Sequence, residues 1–275
     1  MTQKKLNSRF ANHLFERICA SLRMLLVFFL SAFMAVGAAF GSAGTGDSFY
    51  TPEEDKAALA AANAKAEQQG LPNVLILGDS ISIGYFPAVK EALKEVANVS
   101  RPNENCGDTG RGLLRLDHWL GKTKWDVIHF NWGLWDLCYR KPVPKSPMNR
   151  DKVDGKISAT PEEYEKNLTA LVERLEKTGA RLVWASTTFV PEGEPGRFVG
   201  DDVKYNAIAE KIMKDRGIII NDLHALSASF PPEMFTAPGD VHFKRAASNQ
   251  LGNQVAEVIK PLLPPPSAPV SGDHL

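Results

Sequence analysis

The chain has 275 residues, 44% of them hydrophobic, which is enough for one domain with a sizeable core. Lys and Arg together number 32, and so do Asp and Glu, so no basic excess indicates a nucleic-acid partner. The charge is uneven along the chain, however, because residues 1–43 hold five basic residues and a single acidic one.

The N-terminus has the pattern of a targeting segment. An apolar stretch over residues 24–40 follows the basic residues and precedes the small residues "GSAGTG". This order is typical of a secretory signal, with cleavage after Ala38 or Ala43. The alternative is an uncleaved N-terminal anchor, because seventeen residues are close to the shortest bilayer span. Both interpretations predict an exported protein that is periplasmic, extracellular or surface-anchored, with a membrane partner only if the leader is retained.

Short apolar runs alternate with helical patterns along the rest of the chain. Residues 44–72 are predicted to be a spacer with an Ala-rich helix that starts after Pro52 and ends at Gly70. The strands are predicted at 73–78, 98–100, 125–131, 181–187 and 217–222. The helices are predicted at 84–96, 110–120, 160–178, 201–216 and 244–260. Alternation of this kind predicts an α/β fold with a parallel five-stranded sheet and helices on both faces.

Two stretches lack this alternation. Residues 137–159 are rich in Pro and charge and are predicted to form a long loop after the third strand. Residues 261–275 form a Pro-rich tail. The predicted folded domain therefore spans 73–260.

The first predicted strand ends in Gly78, Asp79 and Ser80, a small hydroxyl beside a carboxylate. Ligands of parallel sheets gather at the carboxyl ends of the strands. A serine that also begins a helix has an accessible hydroxyl and an unpaired backbone N–H, as a nucleophile beside an oxyanion donor requires. The alternative interpretation is an ordinary helix N-cap.

Three more stretches fall at strand ends or near the C-terminus. "CGDTGRGLLRL" spans 106–116, where Gly107 could direct its N–H towards Ser80, and "FNWGLWDL" spans 130–137. "GDVHF" spans 239–243 and places Asp240 two residues before His242. A histidine beside a carboxylate, late in a chain with an early strand-end serine, favours a general base.

Together these four stretches resemble the SGNH hydrolases, also called the GDSL esterase/lipase family, over about residues 73–260. The resemblance implies a flavodoxin-like three-layer α/β/α sandwich. It implies that Ser80 is the nucleophile, His242 the base and Asp240 its partner. It also implies that the N–H groups of Ser80 and Gly107 bind the oxyanion. Neither a cofactor nor a metal is implied.

Two departures from the family pattern affect the predicted site. The family's third block ends Gly-x-Asn-Asp and its Asn donates to the oxyanion, whereas Trp135 takes that place here. Loss of one such donor costs roughly 10²–10³ in rate, and the substitute could be the Trp135 indole or the Asn131 side chain. The last block is usually Asp-x-x-His, but Gly239 stands at the Asp position. Either Asp240 or a backbone carbonyl would then orient the imidazole.

The resemblance predicts a serine esterase without identifying its ester. An exported member with no long apolar lid suggests a small acyl group on a carbohydrate, so the first prediction is a carbohydrate O-acetylesterase acting on a small-molecule or polysaccharide ester. A lysophospholipase or general short-chain esterase is the second. A catalytically weak or silent glycan-binding relative is the third. Four aromatic residues near the predicted site could stack on sugars or simply pack in the core: Trp119, Trp132, Trp135 and Tyr139.

Two cysteines, Cys106 and Cys138, lie in the exported part of the chain. An even pair in an oxidising compartment predicts a disulfide. The alternative is two separate small buried thiols.

Overall fold

The computed structural model describes residues 70–141 and 149–265. The predicted leader, almost all of the predicted spacer and most of the Pro-rich tail lie outside these residues, so those interpretations stay predictions. In the part of the chain that is described, no helix is both long and apolar enough to cross a membrane.

A five-stranded sheet forms the centre of the fold, and all of its strand pairs are parallel. Its strands are β1 Asn73–Leu77, β2 Asn98–Ser100, β3 Val127–Phe130, β6 Arg181–Ala185 and β7 Ile219–Asn221. Their spatial order is β2, β1, β3, β6, β7. Every residue of β3 is buried, as expected for a central strand covered on both faces.

Helices cover the sheet in two groups. α1 (Ser80–Leu93) packs on α6 (Arg245–Ile259), which also contacts the short α5 (Leu223–Ala228). α2 (Thr109–Leu120) packs on α3 (Pro161–Glu176), which packs on α4 (Asp201–Asp215). The predicted α/β/α sandwich with a parallel five-stranded sheet is therefore confirmed.

Three local differences from the predicted elements have physical causes. α1 begins at Ser80 rather than at residue 84, because the Asp79 carboxylate caps it by accepting the Ile81 N–H at 2.9 Å. The unpredicted α5 is only six residues long and depends on a cap from Asp222. The predicted loop over 137–159 contains a two-stranded antiparallel ribbon, formed by β4 (Tyr139–Arg140) and β5 (Lys156–Ile157).

The loops at the carboxyl edge of the sheet are bonded to one another. The Cys106 N–H, after β2, donates to the Gly78 carbonyl, after β1, at 3.2 Å. The Asn131 N–H, after β3, donates to the Leu77 carbonyl at 3.0 Å. These bonds hold the ends of three neighbouring strands around the residue that begins α1.

Candidate active site

Three polar side chains form a continuous hydrogen-bonded chain at this edge. Ser80 Oγ lies 2.9 Å from His242 Nε2, although 162 positions separate the two residues. His242 Nδ1 lies 2.7 Å from Asp240 Oδ1, and Thr236 Oγ1 donates to Asp240 Oδ2 at 2.6 Å. The structure thus brings together all three residues for which a catalytic role was predicted.

The turn after β1 fixes the position of Ser80. Ser80 is the first residue of α1, so its backbone N–H has no partner one turn earlier in the helix. Asp79 is buried and caps the helix, and its carbonyl accepts the Ser82 hydroxyl at 2.7 Å. Burial raises the pKa of Asp79, although the Ile81 N–H and nearby positive charges oppose the shift. Asp79 therefore shapes the turn, and Ser80 is left as the partly exposed hydroxyl.

A tight turn before His242 explains the unusual Asp-x-His spacing. Gly239 has φ +75°, and a Cβ there would lie 2.7 Å from the Gly193 carbonyl oxygen, which excludes an aspartate at that position. Asp240 Oδ1 accepts both the His242 backbone N–H at 3.1 Å and the ring nitrogen. Asp240, rather than a backbone carbonyl, therefore holds the imidazole.

The electrostatics of this pair favour an ionised carboxylate. Burial alone would raise the pKa of Asp240. The hydrogen bond and charge of His242, together with the Thr236 hydroxyl, outweigh burial and lower that pKa below its usual value. A carboxylate held negative in this way can stabilise an imidazolium ion on its partner.

Asn131 does not serve as the substitute oxyanion donor, so that interpretation is wrong. Its side-chain amide donates to the Ala185 carbonyl at 2.7 Å and to Thr187 Oγ1 at 3.4 Å. Both amide hydrogens are thereby directed at the end of β6. Asn131 is a structural link between the ends of β3 and β6.

Gly107 is buried with φ +60°, and its N–H donates to Asn105 Oδ1 at 2.8 Å. The predicted oxyanion donor is thus bonded to a side chain of its own loop. Sequence reasoning missed Asn105, because an isolated loop asparagine gives no periodic or motif signal.

The aromatic residues divide into two kinds. Trp119 and Trp132 are buried, and the Trp119 indole donates to Glu104 at 2.7 Å, so both act in packing. Trp135 and Tyr139 keep part of their surface exposed. The Arg140 guanidinium lies 4.5 Å from the centre of the Trp135 ring.

A buried ionic cluster supports the turn after β3. Glu194 is fully buried and accepts from Arg150 and from Arg197, each at 2.8 Å. Arg197 also donates through Nε to the Leu134 carbonyl at 2.7 Å. The loop after β6 is thereby tied both to the β4–β5 region and to the turn that carries Trp135.

The predicted disulfide is wrong, because Cys106 and Cys138 are both free and buried. The Cys106 loop is bonded to the Gly78 turn, whereas Cys138 Sγ lies 3.6 Å from the Tyr139 carbonyl oxygen and faces Gly196. The two thiols therefore pack in different surroundings. Burial raises the pKa of the Cys106 thiol to about 11, so it stays protonated.

No group of three or more His, Cys, Asp or Glu side chains in the described ranges is arranged to hold a metal ion.

Comparison with known proteins gives similarity at the level of structure. No protein-family model matches the sequence, and no curated protein does. The crystal structure of the acetyl xylan esterase AlAXEase matches with a TM-score of 0.54 and 17% identity, covering 68% of this chain and 99% of the other. The lipase/acylhydrolase from Enterococcus faecalis matches with a TM-score of 0.57 and 19% identity, covering 72% and 100%.

A third structure is a catalytic mutant of Axe2, an acetylxylan esterase from Geobacillus stearothermophilus. It matches with a TM-score of 0.53 and 14% identity, covering 72% of this chain and 96% of the other. At such identities the similarity concerns the fold alone. The matched region covers almost the whole length of each of these three structures. The chain has the SGNH-hydrolase fold.

Proposed function

We propose that this protein is a serine carboxylic ester hydrolase in which Ser80 is the nucleophile, His242 the general base and Asp240 the residue that orients it. The observation that carries the proposal is the unbroken chain of contacts from Ser80 Oγ to Asp240 Oδ1, at 2.9 Å and 2.7 Å. A serine, a base and an orienting carboxylate in this geometry form the minimal device for acyl transfer.

The reaction follows from the order of these contacts. His242 Nε2 takes the hydroxyl proton while Ser80 Oγ bonds to the ester carbonyl carbon, and the Ser80 N–H stabilises the oxyanion. Collapse of the tetrahedral intermediate breaks the bond to the alcohol oxygen, which leaves with the proton from His242. Water then attacks the acyl-serine by the same route and releases the carboxylic acid.

We further propose that the substrate is an acetyl ester of a carbohydrate. Two structures with the same fold are described as acetyl xylan esterases, which supports this choice. Partly exposed Trp135 and Tyr139 lie in the segment after β3, where aromatic side chains could contact a sugar. The N-terminal signal pattern supports export, where such polymers would be met.

The test compares esters of different acyl length with purified full-length protein. We expect faster hydrolysis of a chromogenic acetate than of a long-chain ester. Ser80→Ala should lower kcat by at least about 10³, whereas the exposed Ser229→Ala should not. Preference for the long-chain ester would favour a lysophospholipase or general esterase. Absence of turnover in the unmutated protein, with glycan binding retained, would favour a silent glycan-binding relative.

A further inference from the structure

We infer that Asn105 is a catalytic residue whose side-chain amide donates to the oxyanion. It thereby takes the role of the family's third-block Asn, whose position Trp135 occupies in this chain. The inference rests on the proposed esterase activity and identifies a group that this activity requires. Three observations support it: the placement of the loop between β2 and α2, the one hydrogen bond that the Asn105 carboxamide makes within the described residues, and the hydrogen bonds that already occupy the Asn131 amide.

The loop on both sides of Asn105 is bonded to the turn that carries Ser80. Cys106 donates its N–H to the Gly78 carbonyl at 3.2 Å. On the other side, Arg101 Nη2 donates to the Glu104 carbonyl at 3.3 Å and to Ser82 Oγ at 3.4 Å. Asn105 therefore lies between two attachments of its loop to residues 78–82, the turn that carries Ser80.

The orientation of the Asn105 carboxamide is set by its one contact. The Gly107 N–H, 2.8 Å away, is a donor, so it must face the oxygen of the amide rather than the nitrogen. Fixing Oδ1 fixes the plane of the group and leaves the two Nδ2 hydrogens for another acceptor. No described residue accepts a hydrogen bond from Nδ2.

The same contact makes Asn105 a stronger donor. Donation from Gly107 polarises the carboxamide, which strengthens its own N–H groups through hydrogen-bond cooperativity. The Gly107 amide thus acts through Asn105 rather than on the substrate directly. Asn105 therefore takes the role of direct oxyanion donor that was predicted for Gly107.

The loop is also held in place before substrate arrives. Glu104, adjacent to Asn105, is bonded to three side chains of α2, namely Arg111, Arg115 and Trp119. Donors fixed in advance cost no reorganisation during the reaction, which is what makes an oxyanion site effective. Asn131, by contrast, has both amide hydrogens bound to the end of β6.

The experiment is Asn105→Asp, measured with the chromogenic acetate. Aspartate can still accept the Gly107 N–H, so the loop keeps its contact, but both Nδ2 hydrogens are lost. We expect kcat to fall by about 10²–10³ while KM and Tm change little. Asn103→Asp makes the same chemical change two residues earlier, at an exposed position, and should leave kcat close to that of the unmutated protein.

Two further measurements separate donation from structure and from charge. Asn105→Ala, which adds no charge, should show a loss of similar size. A boronic acid that forms a tetrahedral adduct on Ser80 should bind both variants more weakly by a similar factor. Trp135→Phe, which removes the indole N–H and keeps the ring, should cost less than Asn105→Asp.

The outcomes distinguish the two proposals. If the unmutated protein shows no Ser80-dependent hydrolysis of any ester, the proposed function fails and this inference fails with it. If hydrolysis depends on Ser80 but Asn105→Asp and Asn105→Ala keep kcat within about threefold of the unmutated value, only the inference is overturned. A rise in kcat, or a larger loss in Trp135→Phe, overturns it equally.

Discussion

Asp240 shows how a change of one residue in spacing can preserve a contact. Its Oδ1 accepts a hydrogen bond from the His242 backbone N–H and also contacts Nδ1 of the His242 ring. The turn that the carboxylate closes therefore also places the imidazole next to that carboxylate. The preceding position is closed to any side chain, because Gly239 has positive φ and lies against the Gly193 carbonyl. Since position 239 cannot carry a side chain, the carboxylate is carried by the next residue, Asp240.

Asp240→Asn should leave the fold intact and lower kcat by roughly 10³–10⁴. The amide is nearly the same size, but it cannot stabilise the imidazolium and can hold the wrong tautomer of His242. The measurement is kcat with the chromogenic acetate, together with Tm. Thr236→Val removes only one hydrogen bond to the carboxylate and should cost less. A loss in Asp240→Asn below about tenfold would show that another group orients the base.

At the residue scale, what could be predicted follows from topology. Ser80 could be assigned to the carboxyl edge because it directly follows a parallel strand. His242 follows no strand directly, and its role was predicted from the carboxylate of Asp240 and from the resemblance to the SGNH family. The error at Asn131 arose because side-chain direction just past a strand depends on neighbouring carbonyls, here that of Ala185 on β6. The disulfide prediction relied on an even cysteine count, which says nothing about distance.

At the element scale, the contact between α1 and α6 joins the two halves of the site. α1 begins at Ser80, and α6 starts three residues after His242. The alternation of strands and helices predicted both helices, but their closest approach depends on one small residue. A Cβ on Gly252 would lie 2.7 Å from both Ala88 Cβ and the Tyr85 carbonyl oxygen.

Gly252→Ala should therefore lower the free energy of unfolding by about 1–3 kcal/mol, since an added methyl group overpacks a close helix contact. In an open helix the same change would be stabilising, by up to about 1 kcal/mol. Asn253→Ala, at the exposed position next to it, also raises helix propensity but adds no atoms to the helix contact, so it should not lower the free energy of unfolding. Chemical denaturation of the two variants measures the difference, and a Gly252→Ala protein at least as stable as the unmutated one would contradict the close approach.

At the scale of the whole molecule, titratable groups with shifted pKa values determine how stability depends on pH. Burial lowers the pKa of His129 to about 3. Below the ordinary histidine pKa of 6.5, the chain therefore takes up a proton at His129 when it unfolds, and the free energy of unfolding decreases as pH falls. Burial would raise the pKa of Glu104, but Trp119, Arg115 and Arg111 lower it to about 2. The ionised Glu104 carboxylate therefore stabilises the folded protein at pH values above its ordinary pKa of 4.5, and this stabilisation is lost as pH falls towards 2.

Asp136 acts in the opposite direction. It is fully buried, and of its two carboxylate oxygens only Oδ1 has a partner among the described residues, accepting the Thr109 N–H at 2.9 Å and the Thr109 hydroxyl at 2.5 Å. Burial raises the pKa of Asp136 to about 8 despite these bonds. Between the ordinary value of 3.8 and about 8, the unfolded chain has released a proton that the folded chain keeps, so stability falls as pH rises across this window.

Asp136→Asn should remove this fall, because the amide keeps an oxygen for Thr109 and has no proton to release. We expect the free energy of unfolding of the variant, relative to the unmutated protein, to increase steadily from pH 4 to pH 8. Urea denaturation at several values of pH measures both proteins under the same conditions, so the contributions of His129 and Glu104 cancel in the difference. A difference that stays constant over this range would mean that Asp136 is ionised in the folded protein, with its charge compensated by groups other than Thr109.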